Sequence, residues 1–76
     1  MQEAKVLWNV HAIGETAGQV WQFLSESGKS TINAIEWEID APAALTHMSI
    51  GWLVREGKLQ IAQDGRSVSV WLAERS

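Results

Sequence analysis

The side chains best suited to metal or acid–base chemistry are few in this chain. It contains two histidines, His11 and His47, and no cysteine. A zinc site needs three or four nitrogen, sulfur or oxygen ligands at a characteristic spacing. The carboxylates Glu36, Glu38 and Asp40 lie in one short stretch, but together with His47 they match no established metal motif. We therefore expect no metal site.

Nucleophilic catalysis and phosphate binding have equally little support. Ser25 and Ser27 have no base placed beside them by a local motif, and the stretch GETAG at residues 14–18 lacks the lysine and the spacing of a phosphate-binding loop. We expect a protein that is not an enzyme, carries no cofactor and takes no small-molecule ligand.

The remaining chemistry is that of cations able to contact nucleic-acid phosphates. Away from the two ends of the chain, these cations are Lys29, Arg55, Lys58 and Arg66. Nine acidic and six basic residues give a net charge of -3, which repels a phosphate backbone unless the positive charges cluster. We therefore expect any binding to duplex DNA to be weak and steeply dependent on salt.

Length and composition predict one small globular domain that spans residues 1–76. The 76 residues are 46% hydrophobic and include five tryptophans, without repeats or low-complexity stretches. No apolar stretch approaches the roughly 18 residues of a membrane span, and the N-terminus lacks the apolar region of a secretory signal. We expect no membrane association and a cytoplasmic location.

Two helices are predicted in the first half of the chain. Residues 15–27 carry apolar side chains at the spacing of one helix face, and Gly28 can take the positive φ that ends a helix. This face comprises Ala17, Val20, Trp21 and Leu24. A second helix of about 8 residues follows, and Ser30 or Thr31 can serve as its N-cap. Its apolar stripe comprises Ile32, Ile35 and Ile39.

A third helix is predicted from Ala43, directly after a tight turn that contains Pro42. Two helices joined by so short a turn cross steeply, as in helix-turn-helix units. Gly57 ends the third helix, and two alternating strands around Asp64 and Gly65 then predict a β-hairpin. The order of elements indicates an α+β fold, a winged helix-turn-helix with a three-helix core and a C-terminal β-hairpin wing.

The segment 1–13 is open to two interpretations. Val6, Trp8 and Val10 alternate with the period of a strand, which predicts an extra N-terminal strand. A short helix is the alternative.

Three stretches of the sequence resemble a small prokaryotic winged helix-turn-helix family of uncharacterised function. They are IGETAGQVWQFL at residues 13–24, GWLVREGKL at 51–59 and DGRSVSVWL at 64–72, so that the resemblance covers nearly the whole chain. More distantly, the chain is similar to the winged helices of bacterial transcriptional regulators. The resemblance implies that the third helix is the recognition helix and that residues 64–66 form the wing tip. It brings no catalytic motif.

The resemblance implies a recognition helix that turns Ala44, His47, Met48 and Gly51 toward a DNA groove. Base recognition normally uses Arg, Lys, Asn or Gln, because their donors and acceptors distinguish the base pairs. On this helix only His47 and Thr46 offer such groups.

The residues predicted to contact DNA are Thr46, His47, Arg55, Lys58 and Arg66. Arg66 is the strongest candidate, because an arginine on a wing can lie along the minor groove or enter it. The alternative is that these cations are turn and surface charges that keep the protein in solution.

The tryptophans point to a different kind of partner. Trp21 and Trp52 lie on apolar stripes and are expected in the core. The other three tryptophans fall off these stripes, and exposed apolar patches with tryptophan are typical of interaction surfaces. The residues predicted to contact a protein partner or a second copy are Trp8, Trp37, Met48 and Trp71. Alternatively, the N-terminal segment covers Trp71 and hides Trp8.

Two hypotheses of different class follow. In the first, the protein is a DNA-binding winged helix-turn-helix, a transcriptional regulator that acts as a homodimer. In the second, it is a protein-interaction or dimerisation module that retains the scaffold and has replaced base-reading residues by small apolar ones. Fold-level similarity favours the first, and the residue types on the recognition helix favour the second.

Overall fold

A computed structural model describes residues 9–73 of the chain. Its elements in order are α1 (Val10–Ser27), β1 (Ser30–Thr31), α2 (Ile32–Glu38), α3 (Ala43–Arg55), β2 (Leu59–Asp64) and β3 (Ser67–Leu72). The predicted three-helix core with a C-terminal β-hairpin is confirmed.

Helix α1 begins at Val10, earlier than the sequence pattern predicts. Asn9 is its N-cap, and the Asn9 side chain accepts a hydrogen bond of 2.8 Å from the backbone N–H of Ala12. The predicted N-terminal strand is therefore wrong for Val10 and the three residues after it, and the helical alternative is correct there. The rest of that prediction, including Trp8, lies outside the described residues.

The sheet takes its third strand from a place that the sequence did not indicate. Strands β2 and β3 form the predicted antiparallel hairpin, and β1 pairs with the other edge of β3, with Ser30 opposite Val70. A strand of two residues is too short to show an alternating pattern. Its pairing fixes the start of α2 directly beside the wing.

Helix α2 begins as predicted, because Thr31 is its N-cap and accepts a hydrogen bond of 3.1 Å from the backbone N–H of Ala34. Helix α3 follows Pro42 without a side-chain cap. A buried hydroxyl joins α3 to α1: Ser49 Oγ lies 2.9 Å from the carbonyl of Leu45 and 3.1 Å from that of Ile13.

The core lies between the three helices and the inner face of the sheet. It comprises Ala17, Val20, Leu24, Ile35, Ile39, Ile50, Leu53, Leu59 and Val70. The expectation that Trp21 and Trp52 belong to it is wrong, because each is 45% exposed. Both indoles lie at the edge of their helix's buried face, where a large ring extends past the core.

The wing turns through Gly65 and Arg66, the two residues between β2 and β3. Gly65 has a φ of 66°, and no non-glycine residue of the described chain has a positive φ. A positive φ at the first position only is the pattern of a type II′ hairpin turn, which matches the twist of the strands. In residues 9–73, no helix combines the length and the hydropathy needed to cross a bilayer.

Candidate nucleic-acid interface

Helix α3, the predicted recognition helix, turns the predicted DNA-facing residues to solvent. Ala44, His47, Met48 and Gly51 are all exposed. Three of these four side chains are small or apolar, so His47 is the one group on this face with a ring nitrogen for hydrogen bonding.

Thr46 is a correction to the predicted contact set. It is fully buried, and its hydroxyl donates to the carbonyl of Pro42 at 3.1 Å. Ile50 and Leu53 follow Thr46 by four and seven residues on the same helix face, and that spacing already indicated burial. Thr46 therefore cannot reach a ligand on the exposed face.

His47 has a partner that the sequence did not reveal. Its ring nitrogen Nε2 contacts the carboxylate Oε2 of Glu36 on α2, with 53% of the His47 side chain and 25% of the Glu36 side chain exposed. The two residues lie on different helices and come together where α2 packs against α3. The contact brings a negative charge to the face that would meet phosphates.

A cleft lies between helix α3 and the wing. It has a volume of about 380 Å³ and lies between His47 on α3, Arg66 at the wing tip and the beginning of α2. The other lining residues are Thr31, Ile32, Asn33, Ser67 and Val68. Two predicted contacts, His47 and Arg66, are thus brought to one concave surface.

Asn33 is a polar residue of this cleft that was not among the predicted contacts. Its amide carries both donors and an acceptor, which are the groups that bind base edges and phosphate oxygens. The sequence could not reveal this position, because it depends on the pairing of β1 with β3, which places the first turn of α2 next to the wing.

Within residues 9–73, the other cations do not line the cleft. Arg55 ends α3 and Lys58 precedes β2, and both are exposed. Lys29 lies over the ring of Trp71, with its Nζ 4.8 Å from the ring centroid. Trp71 is only half-buried, and Lys29 covers one face of the indole that we expected to meet a partner.

The exposure of two predicted partner contacts is as expected. Trp37 is 86% and Met48 is 49% exposed. Trp52 adds an unexpected apolar feature, because with Val10, Ile13 and Gly14 it lines a small cavity of about 170 Å³ between α3 and the beginning of α1.

Acidic and histidine side chains do not gather into a metal-binding group in the described part of the chain. His11 contacts Glu15 one helical turn away, at 3.3 Å, and both side chains are largely in solvent. Such exposed pairs contribute little to stability.

The fold, with its recognition helix and adjoining wing, is that of a winged helix-turn-helix domain. A family model described as a winged helix-turn-helix domain (DUF2582) matches residues 1–72, and the chain belongs to that family. The resemblance seen in the sequence is confirmed.

Solved structures share this architecture. The solution NMR structure of protein BT2368 from Bacteroides thetaiotaomicron has a TM-score of 0.73 and 26% identity, over 82% of this chain and 76% of that chain. The Zalpha domain of PKZ from Carassius auratus, crystallised in complex with Z-DNA, has a TM-score of 0.70 and 21% identity, over 80% and 97%. An ArsR family transcriptional regulator, RHA00566, has a TM-score of 0.62 and 17% identity, over 92% and 76%. No curated protein sequence is significantly similar to this chain.

Proposed function

We propose that this domain binds duplex DNA through the cleft between α3 and the wing, as the DNA-binding part of a transcriptional regulator. The observation that carries the proposal is the cleft itself, because it joins the exposed face of the recognition helix to a wing-tip arginine. Such a role places the domain in the cytoplasm of a prokaryotic cell, where the chromosome lies.

The cleft residues divide into two roles. Arg66 contacts the backbone or the minor groove, and His47 and Asn33 supply the hydrogen-bonding groups nearest to the bases. Arg55 and Lys58 lie at the end of α3 and the start of the hairpin, from where long side chains reach phosphates.

The scaffold supports this proposal through its solved neighbours. One neighbour was crystallised with Z-DNA and another is named as a transcriptional regulator. Both are less than 25% identical to this chain, so they support the use of the scaffold and not a particular target sequence.

Electrostatics sets the expected strength of binding. The net charge of -3 and the Glu36 carboxylate beside His47 oppose the approach of phosphates. Few cations reach the duplex, so the affinity is weak and falls steeply as salt rises.

A fluorescence anisotropy titration of a labelled random-sequence duplex tests the proposal, at about 50 mM and about 200 mM salt. We expect binding at low salt that is lost at high salt. A left-handed Z-form duplex in a parallel titration separates B-form from Z-form recognition. If neither duplex binds at tens of micromolar protein, the proposal is rejected.

A protein-interaction or dimerisation module is the second candidate function. One supporting observation is the apolar cavity that Trp52 of α3 lines with Val10, Ile13 and Gly14. The other is that the exposed face of α3 carries few groups that could distinguish base pairs. Light scattering tests it: a homodimer of the wild type that dissociates in Trp52→Ala supports self-association through this surface. A protein that stays monomeric at high concentration would rule out dimerisation.

A further inference from the structure

A second groove lies between α1 and α2, away from the recognition helix. Its apolar part is shallow, with a volume of about 680 Å³, and its lining includes Phe23, Ala34 and Trp37. Phe23 is half-buried and also packs against the core. The other lining residues are Ser27, Asn33 and Glu38, so that Asn33 is the one lining residue shared with the cleft beside the wing.

Trp37 is the most solvent-exposed indole of the described residues, at 86%. It lies on the outer face of α2, and the solvent-facing side of a helix normally carries polar residues and not a large apolar ring. An exposed ring beside a shallow apolar groove is typical of a contact site, because tryptophan contributes strongly to the binding free energy when a partner covers it.

The groove continues into an acidic surface. The adjoining part, of about 510 Å³, is lined by the carboxylates Glu15, Glu26 and Glu38 and by no basic residue. Two of these carboxylates have neighbours of their own, because Gln22 donates to Glu26 at 2.7 Å and His11 contacts Glu15. Within the described chain, Glu38 forms no ion pair and borders both parts of the groove.

We propose that this α1–α2 groove binds an arginine- and lysine-rich segment of a protein partner. A guanidinium group can lie flat on the exposed ring of Trp37 while its N–H groups reach the Glu38 carboxylate. The same pairing of cation and indole already occurs in this molecule between Lys29 and Trp71. The acidic lining disfavours contact with the same face of a second copy, because like charges would oppose each other.

This inference does not depend on the proposed DNA binding, because the two surfaces use different side chains apart from Asn33. The test is an NMR titration of the full chain with a short capped peptide of alternating glycine and arginine. The indole N–H signals of the five tryptophans report on the binding surface separately. We expect the Trp37 signal to shift most, and the matching glutamate peptide to cause no shift.

Matched variants make the outcome specific. Trp37→Ala is expected to weaken peptide binding at least about fivefold, whereas Trp21→Ala, which removes an exposed indole from outside the groove, leaves it unchanged. Glu38→Gln is expected to weaken binding, and Glu56→Gln at the end of α3 is its control. A lysine peptide is expected to bind more weakly than the arginine peptide, because it lacks a planar guanidinium.

Three results would overturn the proposal. They are the absence of peptide binding, equal binding by Trp37→Ala and wild type, and Trp37 shifts that depend on protein concentration without peptide. The last result would identify a second copy as the occupant. Duplex binding measured on Trp37→Ala keeps this test apart from the DNA proposal, since the variant is expected to bind DNA like the wild type.

Discussion

Among single residues, we expect the proposed duplex binding to depend most on Arg66. We expect Arg66→Ala to weaken binding about three- to tenfold at low salt, and to reduce the slope of log affinity against log salt by about 1, because one phosphate contact is lost. Anisotropy titrations over a salt series measure both quantities. Lys29→Ala is the control, since its ammonium group lies over Trp71. Equal losses in both variants would show that net charge alone is acting.

Glu36 has the opposite predicted effect. We expect Glu36→Gln to tighten duplex binding about two- to fivefold at low salt, because it removes a negative charge from beside His47 without changing the shape of the side chain. The same titration measures the change. Glu26→Gln changes the net charge equally but lies on the α1–α2 groove, and an equal gain in that variant would contradict a local effect.

Individual residues also show where sequence reasoning succeeds and fails. Exposure of Trp37 was predicted correctly from helix periodicity, and exposure of His47 and Met48 from the resemblance to the winged-helix family. Periodicity gives a direction around the helix axis and not a depth, so it misplaced Trp21 and Trp52 in the core. The contact between Glu36 and His47 depends on the α2–α3 crossing and was not predictable from spacing.

At the scale of the elements, the wing turn depends on the positive φ of Gly65. We expect Gly65→Ala to lower the free energy of unfolding by about 1–2 kcal/mol, because an L-residue with a Cβ is strained in that conformation. Denaturant unfolding followed by circular dichroism measures the loss.

Gly18 provides the matched control for this substitution. It lies within α1 with a negative φ, and a Cβ added there meets no atom within 4 Å. We expect Gly18→Ala to raise the free energy of unfolding by about 0.5–1 kcal/mol, because alanine is the better helix former. A loss of stability in Gly18→Ala, or none in Gly65→Ala, would contradict this account.

The elements were largely predictable, with two exceptions that have physical causes. Helix α3, the hairpin and the Thr31 cap follow from strong local signals. The start of α1 was placed too late because Val6, Trp8 and Val10 alternate with the period of a strand, whereas the helix begins at Val10 with Asn9 as its N-cap. Strand β1 was missed because its two residues owe their conformation to pairing with β3.

Across the whole molecule, the net charge of -3 is unevenly distributed, so that the two proposed binding surfaces differ in charge. Arg66 borders the cleft beside the wing, while Glu15, Glu26 and Glu38 line the α1–α2 groove. We therefore expect Arg66→Ala to leave the affinity for the arginine peptide unchanged and Trp37→Ala to leave the affinity for duplex DNA unchanged. Separate titrations of each variant with peptide and with duplex check this, and a variant that loses both affinities would contradict it.

We propose that duplex DNA binds in the cleft between α3 and the wing. The most direct test of this claim is an NMR titration of the isotope-labelled full chain with a short random-sequence duplex at low salt. We predict that the largest backbone amide shifts fall on Asn33, His47, Arg66 and Ser67 and disappear at high salt. Shifts centred on Phe23 and Trp37, or no shifts at tens of micromolar duplex, would contradict the claim.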